Sequence, residues 1–157
     1  MCIRDSNNTR GLNKLIKKVS VNAGALIAGI QTILKFSGVT VNLKIDQVEK
    51  KINSLCNITI YKNPYVAGDM YYSKCVERDD GKLSVAMVES SSRFQLLKLI
   101  PSLYTGKALG RKGVDYAECK EIELETNNNL VIEADGEIIG TPPIKYTVLN
   151  KAVNVVV

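Results

Sequence analysis

The strongest constraint on this 157-residue chain is a change of hydrophobic period at Ser37-Gly38. Before it, Leu12, Leu15, Ile16, Val19, Ala23, Leu26, Ile27, Ile30 and Leu34 recur at steps of three and four, which predicts an amphipathic helix over Leu12–Phe36. Gly24 and Gly29 each cost such a helix roughly 1 kcal/mol against alanine, so packing has to hold it. After Gly38, Val39, Val41, Leu43 and Ile45 alternate with polar residues, the period of a half-buried strand. A chain that switches to period two so early is not a helical bundle.

Strand-like runs follow at Asn57–Tyr61 and Leu83–Val88, bracketing a glycine-containing segment and the turn Asp79-Asp80-Gly81. A second helix is expected over Ser92–Tyr104, capped by Ser91 or Ser92, with Phe94, Leu97, Ile100 and Tyr104 on one side. Pro101 should kink it and Gly106 stop it. In Lys120–Thr126, Ile122 and Leu124 alternate with Glu121, Glu123 and Glu125; Asn127-Asn128-Asn129 then predicts a turn that brings Leu130–Ala134 back as a hairpin partner. Asp135-Gly136 turns the chain again, and strands are expected at Tyr146–Leu149 and Val153–Val157. The sum is a mainly β, α+β chain: a β-sandwich-like antiparallel domain or curled sheet with two accessory helices.

Composition narrows the chemistry. The sequence has no histidine and no tryptophan, which excludes a Ser-His-Asp triad, a Cys-His pair and a histidine-ligated zinc. Carboxylate, lysine and backbone chemistry remain. Cys2, Cys56, Cys75 and Cys119 form no C-x-x-C, so they read as free thiols of a reducing compartment. The longest uncharged run, Val19–Leu34, is too short for a membrane span and contains Ser20, Asn22, Gln31 and Thr32. No signal-peptide pattern follows the N-terminal lysines, so the expected location is cytoplasmic, with peripheral membrane contact left open as an alternative. Residues 1–62 hold 10 of the 21 basic groups but only 3 of the 16 acidic ones. These lysines are scattered and scarcely interleaved with aromatics, so nucleic acid is not an expected partner. Met1–Ser6 reads as adapter-derived read-through, which leaves residues 7–157 as the domain.

Two turns could carry more than a change of direction. Asp-Gly supplies the positive φ values of a two-residue hairpin, so Asp135-Gly136-Glu137 is first a turn signature. A glutamate beside a rigid hairpin tip is also a suitable mount for a general base. Asp79-Asp80-Gly81 likewise reads as a plain turn, although its carboxylates beside free turn carbonyls would suit Mg²⁺ or Ca²⁺. Gly106–Gly113 lacks the spacing of a phosphate-binding loop.

The order of these pieces is informative. Asn63-Pro64-Tyr65-Val66-Ala67-Gly68-Asp69-Met70, then Asp80-Gly81-Lys82-Leu83-Ser84-Val85, a leucine-rich helix ending at Gly106, Ala134-Asp135-Gly136-Glu137 and a terminal strand follow one another. Over about residues 10–157 this order resembles the C-terminal β-domain of bacterial diacylglycerol kinase-type lipid kinases, relatives of the sphingosine kinases. The resemblance implies the C-terminal part of an ATP-dependent kinase that phosphorylates a lipid alcohol such as diacylglycerol. ATP would be bound by an N-terminal domain bearing a Gly-Gly-Asp-Gly-Thr motif, which this sequence lacks, so the isolated chain is expected to be inactive.

By the same resemblance Glu137 is the general base on the lipid hydroxyl. A structural Mg²⁺ is held by Asp80 with the backbones of Glu77 and Lys82. Two departures bear on these sites: Ala67-Gly68-Asp69 replaces a glycine triplet, and Lys74 and Cys75 stand where a proline is common. Lys14, Lys17 and Lys18 either add attraction to an anionic membrane surface or form a solvated face. The reading from a different class is a stand-alone, non-catalytic β-rich module that binds a lipid or a protein.

Overall fold

The computed structural model describes residues 38–67, 69–90 and 92–152. The expected helix over Leu12–Phe36, its lysines and the expected strand Val153–Val157 lie outside the described residues.

Six strands form one antiparallel sheet. In chain order they are β1 (Val39–Ile45), β2 (Val48–Tyr61), β5 (Leu83–Glu89), β6 (Val114–Cys119), β7 (Glu121–Glu125) and β10 (Ile144–Thr147), arranged β10-β7-β1-β2-β5-β6. Two small hairpins stand apart from it: β3 (Tyr65–Ala67) with β4 (Met70–Tyr71), and β8 (Ile132–Ala134) with β9 (Glu137–Gly140). Among the described residues one helix, α1 (Arg93–Tyr104), connects β5 to β6 through a glycine-rich loop. The architecture is β-sandwich-like, as the alternation after Gly38 requires.

The alternation in β1 places Val41 and Leu43 in a core with Ile52, Leu55, Val85, Met87, Cys119, Ile122 and Leu124. Residues from both ends of the sheet border this cluster, Tyr146 of β10 and Ala117 of β6 among them, so the sheet curls around it. The path of the chain demands the same curl. Only Lys120 separates β6, at one edge, from β7, which pairs with β1 and β10 on the far side.

β2 stays on this core through two irregularities. Asn53 and Ser54 together oppose Thr40, and Cys56 is an extra residue against β5. Each bulge reverses the side-chain alternation, which keeps Ile52, Leu55, Ile58 and Ile60 on one face despite their uneven spacing.

β5 is buried on both faces, from Ser84 to Met87. Val85 and Met87 enter the first core, while Ala86 faces a second cluster with Tyr61, Tyr72 and Ala108, bordered by Leu103 of α1 and by Tyr116. Tyr61 and Tyr72 stack with ring centroids 5.1 Å apart.

Three local expectations are corrected. α1 buries Leu96, Leu99 and Ser102, whereas Phe94 is 66% exposed and Tyr104 40%, so the helix docks by a different stripe from the one expected. β7 does not form a hairpin with β8. The Thr126 hydroxyl (2.7 Å) and the Asn128 amide (3.1 Å) both donate to the Thr40 carbonyl, and the chain leaves the sheet there. Ser92 occupies the helix cap position without a side-chain bond to the first turn; the Ser90 hydroxyl instead accepts from the Ser92 N–H at 3.1 Å.

Candidate functional site

Glu137 opens β9. The preceding residues, Asp135 and Gly136, have φ of 50° and 89°, the two positive values of a tight two-residue hairpin turn. Glu137 pairs with Ala134 across the hairpin, and its carboxylate is exposed. The next two residues, Ile138 and Ile139, are 76% and 52% exposed. A carboxylate therefore sits on a two-stranded arm beside apolar side chains that face solvent.

The Asp80 turn is a separate construction. Asp80 accepts three hydrogen bonds: from the Lys62 ammonium at 2.8 Å and the Lys82 N–H at 2.9 Å on Oδ1, and from the Glu77 N–H at 3.0 Å on Oδ2. The Lys62 Nζ also donates to the Glu77 carbonyl at 2.6 Å. The hydrogen-bonded Lys62 ammonium, assisted by the two N–H groups against partial desolvation, holds the Asp80 carboxyl below its ordinary value. Beneath the turn, the fully buried Ser84 hydroxyl accepts from the Val76 N–H at 2.9 Å. It lies 3.2 Å from the Tyr116 hydroxyl, which donates to Glu118.

Gly81 follows Asp80 with φ of 69° and lies against the Asn150 side chain, which an added Cβ would meet at 3.0 Å. That combination of positive φ and close packing suits glycine.

The structure thus brings Asp80 and the Glu77 carbonyl to one cation position, and the cation there is Lys62. Lys82 joins through its N–H. The donor set does not fit a resident Mg²⁺. Both carboxylate oxygens already accept N–H donors, and a dication on Asp80 and the Glu77 carbonyl would compete with a covalently tethered ammonium for the same lone pairs. Among the described residues no group of three acidic or cysteine side chains converges to hold a metal. Lys62 had no signal in the sequence, because a lysine at the end of a strand reads as solvated.

Residues 7–157 match the family described as the YegS C-terminal NAD kinase beta sandwich-like domain. The chain belongs to this family. A Streptococcus pneumoniae serotype 4 (strain ATCC BAA-334 / TIGR4) protein provisionally named a lipid kinase is 25% identical to this YegS-type domain over 79 residues, 50% of this chain and 27% of that protein. The crystal structure of a diacylglycerol kinase from Bacillus anthracis str. Sterne superposes with a TM-score of 0.56 at 19% identity, covering 77% of this chain and 42% of its own. A second structure from that organism gives 0.57 at 18% identity, over 77% and 41%. At these identities the superpositions show the fold. The chain spans about a quarter of the curated relative and about two fifths of the matched structures.

A shallow depression of about 590 Å³ is lined by Asn42, Lys44, Glu49, Lys51, Glu123 and Glu125, among others. It is lined by charges of both signs and contains neither Glu137 nor Asp80. Among the described residues no helix is long and apolar enough to cross a membrane.

Proposed function

We propose that this YegS-type domain is the acceptor-side half of an ATP-dependent lipid kinase of the diacylglycerol kinase type, acting on a lipid alcohol with Glu137 as general base. The observation that carries the reading is the β8–β9 hairpin, which sets a carboxylate next to exposed Ile138 and Ile139. A lipid alcohol has the matching halves: a hydroxyl that must lose a proton and acyl chains that need apolar cover.

Phosphoryl transfer asks mainly for positioning and charge neutralisation, with one group to accept the attacking hydroxyl's proton. In this reading the lipid oxygen forms a bond to the terminal phosphorus of ATP, the bridging P–O bond breaks to release ADP, and the proton passes to Glu137 and then to water. Mg²⁺ accompanies ATP and neutralises its phosphates. A nucleotide-binding N-terminal domain holds both.

In the two-domain enzyme Glu137→Gln keeps the fold, because the amide is nearly isosteric, and lowers kcat by on the order of 10²–10⁴. Labelled ATP, a panel of lipid alcohols and thin-layer separation measure this. Unimpaired turnover by Glu137→Gln would remove Glu137 from the mechanism, and turnover by the 157-residue chain alone would refute the division of labour. Lipid binding without turnover by the complete protein would identify a non-catalytic module.

A further inference from the structure

We infer that the Lys62 ammonium is the built-in cation of the Asp80 turn and makes that turn independent of divalent metal. The geometry is that of a bound ion. Nζ lies 2.6 Å from the Glu77 carbonyl and 2.8 Å from Asp80 Oδ1, so one positive centre gathers the oxygens that open and close the turn.

The pair is partly shielded, with side-chain exposures of 31% for Lys62 and 25% for Asp80. Its charges balance: one ammonium against one carboxylate, where a dication would leave an excess. Lys62 is well placed for the task. It follows Tyr61, whose ring is buried in the second core and whose hydroxyl donates to the Lys74 carbonyl at 2.8 Å. The Lys62 carbonyl in turn accepts from the Cys75 thiol at 3.1 Å. The backbone leading into the turn, at Lys74 and Cys75, is thereby tied to the base of the lysine, and its side chain needs only to reach across.

The inference is independent of the lipid-kinase reading, and thermal unfolding of the full chain tests it. For wild type, millimolar Mg²⁺, Ca²⁺ or EDTA leaves Tm unchanged. Lys62→Met keeps the stem but removes the charge; it lowers Tm and exposes the oxygens, so that Mg²⁺ or Ca²⁺ raises its Tm again through binding to the folded state. Lys62→Met combined with Asp80→Asn loses that response. Should Lys62→Met fail to fold, Mn²⁺ titration of the wild-type chain followed by amide NMR still decides. Selective broadening of the amides from Glu77 to Lys82 overturns metal independence, and its absence supports it. A folded Lys62→Met whose Tm ignores both Mg²⁺ and Ca²⁺ overturns the substitution of lysine for metal.

Discussion

Asp46 closes the turn between β1 and β2 with φ of 52° and sends Oδ1 to the N–H groups of Lys120 (2.9 Å) and Glu121 (3.0 Å). Its own N–H donates to the Glu121 carbonyl. One side chain therefore fastens the only residue between β6 and β7. Asp46→Ala leaves two backbone donors without their acceptor and puts alanine at positive φ, where aspartate is better tolerated. The expected loss is about 1–3 kcal/mol, read as a lower urea midpoint with unchanged slope. At this scale the sequence revealed Asp135-Gly136, because the demand for positive φ is local. It did not reveal Asp46 as a clasp or Lys62 as a cation, since their partners lie 74 and 18 residues away. Glu137 came to notice through the order of short motifs; as a lone glutamate after a turn it has no distinguishing mark.

The junction of α1 with β4 shows how an element ends. Gly106 has φ of 66°, and an added Cβ would run into the Tyr71 ring, whereas Gly110, at φ of 87°, has nothing within 4 Å. Gly106→Ala should therefore cost more than Gly110→Ala, which carries only the backbone penalty of about 1–2 kcal/mol. Thermal melts of the two variants make the comparison, and equal losses would refute the packing contribution.

Elements were legible in proportion to how regular their patterns are. β1 and β5 were readable, but only the last third of β2 was found, because its two bulges space Ile52, Leu55 and Ile58 three apart, a helical step. The face of α1 was misjudged because Arg93–Tyr104 is apolar at so many positions that more than one stripe fits the period. The triple asparagine gave the turn but not its destination. Thr40, which grips it, lies 86 residues from Thr126.

For the molecule as a whole, the core has an acid–base consequence. Burial, with the Asp46 charge adding to it, pushes the Cys119 thiol up to about 11 from an ordinary 9.0. Burial also raises Tyr61 and Tyr72. These groups must stay protonated in the fold, so above the ordinary thiol value the native state holds more protons than the unfolded chain, and stability falls with rising pH. Urea midpoints should be level up to about pH 9 and decline from there towards pH 11; a constant or rising midpoint across that window would contradict the assignment. The single residue between β6 and β7 has a different consequence, in time. Pairing of β1 with β2 and of β2 with β5 joins segments near in sequence, whereas β1 receives its second neighbour only when β7 returns from the opposite edge. Topologies dominated by such distant pairings fold in milliseconds to seconds, not microseconds. Throughout that wait the free edge of β1 is a template for any extended chain nearby. Thr40, Asn42 and Lys44, polar at every second position of that strand, guard a nascent edge that the finished protein no longer shows.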